Sequence, residues 1–192
     1  NVGAGALAGT SETGVATADL PALDAAAAAH GPATMLRYPL VGTGERFPVA
    51  DPDFRGWQVG EPDSAADSYR SILEGVAFVE RHGLEQLAAL GVPRRRHLLA
   101  GGATKSTVWN RIRAGVLGET VYVPPAGGSG NGAAALAASA LLGKPLTAVV
   151  DSWARGAVSI DPDPAESEQL QSSYRRWSEE LSRRTESSVI HQ

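Results

Sequence analysis

The fold of this chain is decided by one short stretch of sequence, LLAGGATKSTVW, at residues 98–109. An apolar run ends there in the pair Gly101-Gly102, and Ser106, which can cap a helix, follows closely. This order predicts a strand that turns into a helix. Because glycine has no Cβ, a ligand can approach such a backbone closely, and the amino end of a helix favours a phosphate. The turn is therefore a candidate ligand site, although a glycine pair in this place can equally serve packing alone.

Helices and strands alternate around this turn. A long helix is predicted to begin at Ser64, where Asp67 resembles the partner in a capping box, and to continue towards Leu90 with a break near Gly83. Such alternation predicts an α/β layer with parallel neighbouring strands, whose ligands bind at the carboxyl ends of the strands. The elements predicted after the long helix are a strand at 97–100, a helix at 106–118, a strand at 120–123, a glycine-rich turn at 127–132 and a helix at 133–142.

The flanking regions give weaker patterns. Upstream, the residues predict a short helix capped by Asp19 and stopped at 30–32, a strand at 35–40, an irregular loop at 42–56 and a short strand at 57–60. Downstream, a charged helix is predicted at 165–184. We interpret the whole chain, 1–192, as one domain, because roughly 100–200 residues are usual for a domain.

The composition narrows the classes of function. The formal net charge of -4 argues against nucleic acid as a partner, because proteins that bind it usually carry a basic excess. The chain has no cysteine, which excludes disulfides and thiolate metal sites and favours a cytoplasmic location. No apolar run approaches the roughly 20 residues that span a bilayer, so no membrane partner is expected. The chain begins at Asn1, and we expect it to be a piece of a longer protein.

Several motifs together resemble the FGGY family of carbohydrate kinases. The stretch at 98–109 is similar to the Gly-Gly-Gly-Ala-x-Ser-x-x-Trp signature of that family. The order and spacing of the motifs agree from about Leu20 to the end of the chain. The other matching segments are YPLVGTGERFP at 38–48, DPDFRG at 51–56, LEGVA at 73–77, LG at 117–118 and VYVP at 121–124.

The resemblance implies an actin-like ATPase fold of the ribonuclease H-like type and a site for ATP with Mg²⁺. It places Gly101, Gly102 and Ala103 against the nucleotide and makes Ser106 a polar contact to adenine or ribose. It also places Lys105 and Trp109 at the border of the adenine pocket. From residue type alone, Lys105 is more often a solvated loop residue and Trp109 more often a core residue.

The sequence departs from the family pattern at several points. Ala100 stands where the family has its first glycine, and the turn at 127–131 lacks the usual acidic residue. Gly9-Thr10-Ser11 resembles the phosphate-binding hairpin of the family, but it lies so close to the loop at 44–46 that we interpret it as a coincidence. The resemblance then implies that the domain is incomplete at its N-terminus and that the sugar-binding domain lies elsewhere. The catalytic aspartate of the family has no match here, so no catalytic residue is assigned.

These inferences predict a kinase that phosphorylates a sugar or polyol hydroxyl with ATP, this chain supplying the ATP-side domain and being inactive alone. The main alternative is a non-catalytic, actin-like nucleotide-binding module, against which the Gly-Glu-Arg loop at 44–46 argues. A structural remnant that binds no nucleotide is a further alternative. The identity of the sugar and the oligomeric state stay open, a homodimer included.

Overall fold

The computed structural model describes residues 4–7, 20–93, 96–125, 128–153 and 155–189. Within these ranges the chain forms helices and strands in a mixed order, with short 3-10 turns at Ala4–Leu7 and Gly102–Lys105. In chain order the elements are α1 (Leu20–His30), β1 (Leu36–Glu45), β2 (Asp51–Val59), α2 (Ala65–Ala89), β3 (His97–Leu98), α3 (Thr107–Leu117), β4 (Val121–Val123), α4 (Ser129–Leu142), α5 (Leu146–Trp153), β5 (Val158–Ile160) and α6 (Pro164–Val189).

The strands form two small sheets. In the first sheet, β1 and β2 pair as an antiparallel hairpin, with Leu36 opposite Val59. In the second sheet the order is β3-β4-β5. Strands β3 and β4 are parallel, with His97 opposite Val121, which confirms the parallel pair predicted from the alternation of elements. Strand β5 joins β4 in the antiparallel sense, and nothing in the sequence pattern predicted it.

The predicted loop at 42–56 is wrong, because most of it belongs to the β1–β2 hairpin. Strand β1 continues to Glu45 and β2 begins at Asp51. Gly42 and Gly44 have φ angles of 81° and 92°, and the register of the hairpin shifts around Thr43. The glycines that predicted a loop therefore mark bulges within a strand, which is a common use of glycine in sheets.

Helix α2 begins as predicted but has no break. The Oγ atom of Ser64 accepts a hydrogen bond of 3.0 Å from the backbone N–H of Asp67, which is the expected cap. The helix continues without interruption through Gly83 to Ala89. A Cβ at Gly83 would lie 3.3 Å from Cε1 of Phe47, so this glycine makes room for an aromatic ring from the hairpin.

Other predicted boundaries need smaller corrections. The prediction of a glycine-rich turn at 127–132 is wrong for most of the residues described there. Helix α4 begins at Ser129, so Gly130 and Gly132 belong to its first turn. The C-terminal helix, predicted at 165–184, extends from Pro164 to Val189. Helix α5 was not predicted. The proposed cap Asp19 and the Gly9-Thr10-Ser11 segment lie outside the described residues.

The core is centred on Trp177 of α6, whose side chain is fully buried. Its indole stacks on the ring of Tyr38 with centroids 5.8 Å apart, and its Nε1 donates a hydrogen bond of 3.1 Å to the Arg37 carbonyl. Arg37 also lies against α2. A Cβ at Gly75 would be 2.4 Å from the Arg37 carbonyl oxygen, so the backbones of β1 and α2 are in close contact there. Strand β1 is thus held between α2 and α6.

A small polar cluster joins the end of α1 to the start of α2. Nε2 of His30 lies 3.1 Å from Oδ1 of Asp63 and 4.0 Å from Oδ1 of Asp67. Burial opposes protonation of His30, but the Gly31 carbonyl and the Asp63 carboxylate outweigh it, so the pKa of His30 is raised. Burial also opposes ionisation of Asp67, yet hydrogen bonds from Thr34 hold its pKa below the usual value.

The His30 contact should make stability depend on pH. A raised pKa in the folded state means that the contribution of His30 is fully present below its unfolded pKa, about 6.5, and is lost as the pH rises through the folded value. We expect His30→Gln to lower the free energy of unfolding by about 0.5 kcal/mol at pH 5.5, as for other partly exposed pairs, and by less at pH 8.5. Urea unfolding at both pH values measures this, with Asp63→Asn as the matched variant. An equal loss at both pH values would contradict the assignment.

Candidate functional site

The glycine turn lies directly beyond β3, at the carboxyl end of the parallel pair. The backbone N–H of Leu99 still donates to the Tyr122 carbonyl at 2.8 Å, and the chain then reverses at Gly101, whose φ is 89°. A 3-10 turn, Gly102–Lys105, leads into α3. The Gly101 carbonyl accepts hydrogen bonds from the N–H and the Oγ1 of Thr104, at 3.2 and 2.7 Å. The turn is therefore held by its own hydrogen bonds.

Both glycines of the turn face open space. A Cβ built at Gly101 or Gly102 would meet no heavy atom within 4 Å. By contrast, a Cβ at Gly75 would contact backbone at 2.4 Å, and one at Gly115 would lie 2.7 Å from Cδ1 of Leu170. The positive φ angle explains why position 101 is a glycine. Close packing does not explain the glycine at position 102. A bare backbone that faces open space is suited to close approach by a ligand.

A cleft of about 560 Å³ lies over this turn. Its size is in the range of small-molecule sites, which is roughly 300–1,000 Å³. One wall is the glycine turn. The other walls come from the last residue of β4 and the prolines after it, from the first residue of β5, and from the residue before α4. The lining residues are Gly101, Gly102, Thr104, Lys105, Val123, Pro124, Pro125, Gly128, Gly156 and Val158.

The predicted site residues divide into two groups. Gly101, Gly102 and Lys105 line the cleft. Lys105 is exposed, and among the described lining residues it is the one with a charged side chain. Ala103, Ser106 and Trp109 do not line it. The cleft therefore has a cationic side chain beside a bare backbone turn, a combination that suits an anionic ligand.

Trp109, which the resemblance places at the border of the adenine pocket, lies in the core and does not line this cleft. Its side chain is buried, and Nε1 donates a hydrogen bond of 3.0 Å to the Leu73 carbonyl in the middle of α2. Ser106 caps α3, since its Oγ accepts a hydrogen bond of 3.0 Å from the Trp109 N–H. Ala103 is half-buried and packs against the core. These three residues connect the turn and the start of α3 to the core, and their predicted contacts with a nucleotide stay predictions.

Sequence reasoning missed several residues of the cleft. Thr104 and Gly156 line it. Asn110 does not line the cleft but holds Thr104 in place, because its Nδ2 donates a hydrogen bond of 2.8 Å to the Thr104 carbonyl. Pro124 and Pro125, directly after β4, also line the cleft. Their position after a strand that is parallel to β3 could have placed them at the same edge. Gly156 could not have been found in this way, because β5 gave no signal in the sequence.

No carboxylate lines the cleft among the residues that the structure describes. These residues therefore provide no carboxylate ligand for Mg²⁺. One described cluster, His30 with Asp63 and Asp67, has a geometry that could hold a metal ion. It lies between α1 and α2, neither of which lines the cleft. Its carboxylates are accounted for by the hydrogen bonds and the ion pair described above.

The chain belongs to the FGGY family of carbohydrate kinases. The sequence model of the C-terminal domain of that family matches residues 5–141. The actin-like ATPase fold of this family is therefore the fold class of this chain, as predicted. In the part of the chain that the structure describes, no helix is both long and apolar enough to cross a bilayer.

Relatives and solved structures agree with this assignment. Autoinducer-2 kinase of Salmonella typhimurium (strain LT2) is 35% identical over 82 residues, which are 42% of this chain and 16% of that protein. A xylulose kinase from Rhodospirillum rubrum has a TM-score of 0.69 at 27% identity, covering 89% of this chain and 35% of that one. A gluconate kinase from Lactobacillus acidophilus, at 23% identity with a TM-score of 0.69, supports the fold alone. This chain thus spans about a third of the length of these two structures.

The contrast between open and packed glycines can be tested by stability. We expect Gly102→Ala to change the free energy of unfolding by less than about 0.5 kcal/mol, as for surface substitutions. Gly75→Ala should cost about 1–3 kcal/mol through overpacking against the Arg37 carbonyl, although alanine is the better helix former. Urea unfolding of both variants checks this. A destabilisation of Gly102→Ala as large as that of Gly75→Ala would show that Gly102 serves packing.

Proposed function

We propose that this chain is the ATP-side part of a kinase that transfers the γ-phosphoryl group of ATP to a hydroxyl of a sugar or polyol. The observation that carries the proposal is the glycine turn at the end of β3, open to a cleft, in a chain of the FGGY family. The relatives are named for different acceptors: autoinducer-2, xylulose and gluconate. The absence of cysteine favours the cytoplasm as its location.

The proposed role of the cleft is to position ATP by its backbone. Phosphoryl transfer needs little covalent help from the protein, so positioning and charge stabilisation are the main contributions. In our proposal the backbone at Gly101 and Gly102 approaches the nucleotide, and the amino end of α3 offers a partial positive charge. Lys105 adds a cation at the rim. Mg²⁺ would arrive with the phosphates of ATP and neutralise their charge.

The proposed site is supported by residues that do not line the cleft. The Ser106 cap and the buried Trp109 indole hold the start of α3, and Asn110 holds the Thr104 carbonyl. The Asn110 bond ties the 3-10 turn to α3, the Ser106 cap fixes the start of α3, and the Trp109 bond ties α3 to α2. A turn fixed in this way loses little conformational entropy when a nucleotide binds, which favours binding.

Nucleotide binding can be measured on the chain itself. We expect calorimetry to show ATP binding to the 192-residue chain. Gly102→Trp should weaken it at least tenfold, because an indole would fill the open space over the turn. Gly130→Trp is the matched control, since a Cβ at Gly130 also meets nothing within 4 Å and Gly130 does not line the cleft. Unchanged affinity in Gly102→Trp, with unchanged thermal stability, would refute the site. No binding by the unsubstituted chain would favour the alternative of a remnant without a nucleotide site.

We also propose that the chain alone does not turn over. It spans 35% of the Rhodospirillum rubrum xylulose kinase, and no aspartate here matches the catalytic base that the family resemblance implies. A coupled assay for ADP with a panel of sugars and polyols should give no rate above background for the 192 residues, and a rate with one acceptor for the full-length gene product. A sugar-dependent rate from the chain alone would contradict this. No rate with any acceptor from the full-length product would favour the non-catalytic module.

A further inference from the structure

The β1–β2 hairpin contains a cavity of about 380 Å³ that shares no lining residue with the cleft at the glycine turn. The register of the hairpin shifts between Tyr38 and Thr43, so residues 39–42 of β1 lie opposite Gly56 alone. Such a bulge bends the strand, and bulges are common next to active sites. We call the space at this point the bulge cavity. Its size falls within the range of small-molecule sites, roughly 300–1,000 Å³.

The charged side chains of the bulge cavity are cations. Arg37 and Arg55 both line it, and no carboxylate does so among the residues that the structure describes. Arg55 is exposed, whereas Arg37 is buried. Burial lowers the pKa of Arg37, although the carboxylates of Asp67 and Glu61 act in the opposite direction. Guanidinium groups bind phosphate and carboxylate groups through paired N–H donors. The bulge cavity therefore suits an anionic ligand.

Two neutral groups add further hydrogen-bond donors to the same walls. Oε1 of Gln58 accepts a hydrogen bond of 3.3 Å from Nη2 of Arg37, so the other end of this amide, Nε2, is a donor. Trp57 is 8% exposed, and its buried Nε1 has no hydrogen-bond partner in the described structure. An indole N–H without an acceptor is unfavourable in a protein interior. The polar side chains that line the cavity thus offer donors and need acceptors.

We propose that the bulge cavity binds a small organic phosphate. Its phosphate oxygens would accept hydrogen bonds from the guanidinium groups of Arg37 and Arg55 and from the indole of Trp57. This inference goes beyond the proposed function, because the cavity belongs to the β1–β2 hairpin and the cleft to the ends of β3, β4 and β5. A ligand bound here is not the nucleotide that the cleft is proposed to bind.

The number of donors and the volume favour an organic phosphate over simpler anions. A phosphate monoester has three strong acceptor oxygens, which match several donors better than the two oxygens of a carboxylate do. A free phosphate ion would fill only part of 380 Å³, so an organic group is expected beside the phosphate. Gln58, with its amide donor, is a partner for a hydroxyl of that group.

The site can be tested by NMR on the 192-residue chain, with the indole N–H signal of Trp57 as the readout. Trp57→Phe, which lacks this N–H, identifies the signal. We expect ribose 5-phosphate to shift it saturably and ribose, which lacks the phosphate, to leave it unchanged. Inorganic phosphate should bind about tenfold more weakly. No shift at Trp57, or an equal shift with ribose, would overturn the proposal. Equal affinity for inorganic phosphate would overturn the organic group.

A pair of arginine variants separates a built site from general attraction of anions. Arg55→Gln should weaken the binding of ribose 5-phosphate about tenfold, because it removes one guanidinium from the cavity wall. Arg46→Gln, at an exposed position between β1 and β2 that does not line the cavity, is the matched control and should leave the affinity unchanged. Equal losses in both variants would overturn the proposal. A ligand that shifts the amide of Gly102 but not Trp57 would also overturn it, while leaving the proposed nucleotide site intact.

Discussion

The hydrogen bond from the Trp109 indole to the Leu73 carbonyl, 3.0 Å long, connects the cleft to the rest of the structure. It joins α3, which begins just beyond the glycine turn, to the long core helix α2. The same residue receives the Ser106 cap at its backbone N–H, so one tryptophan fixes both the start of α3 and its place on α2. Because α2 itself packs closely against β1 at Gly75, the position of the open glycine turn is set from the core.

The sequence predicted those elements whose signals are local. Three predictions of this kind are confirmed: the Ser64 cap, the parallel pair of strands and the end of α3 at Gly118. Capping, apolar runs and glycine at a helix end are properties of a few neighbouring residues. The hairpin was missed, because its glycines serve as bulges and only cross-strand pairing reveals this. Strand β5 was missed for a related reason, since its three residues become a strand only through pairing with β4.

Residue type does not decide which residues near the glycine turn face the cleft. The glycine pair and Lys105 do line the cleft, but Trp109 belongs to the core. Residue type could not decide this, because an indole suits a ligand pocket and a helix interface equally well. What decides it is the carbonyl of Leu73, which is distant in sequence and accepts the indole N–H. In the same way, the open space over Gly102 and the crowded space at Gly75 are indistinguishable in the sequence.

The cleft lies at the carboxyl end of β3, and our central claim is that it binds a nucleotide. NMR titration of the 192-residue chain with ATP tests this claim most directly. The account predicts saturable shifts of the amide signals of Gly101, Gly102 and Lys105, with no comparable shift at Gly130. Shifts that leave the glycine turn unaffected while other signals respond would contradict it.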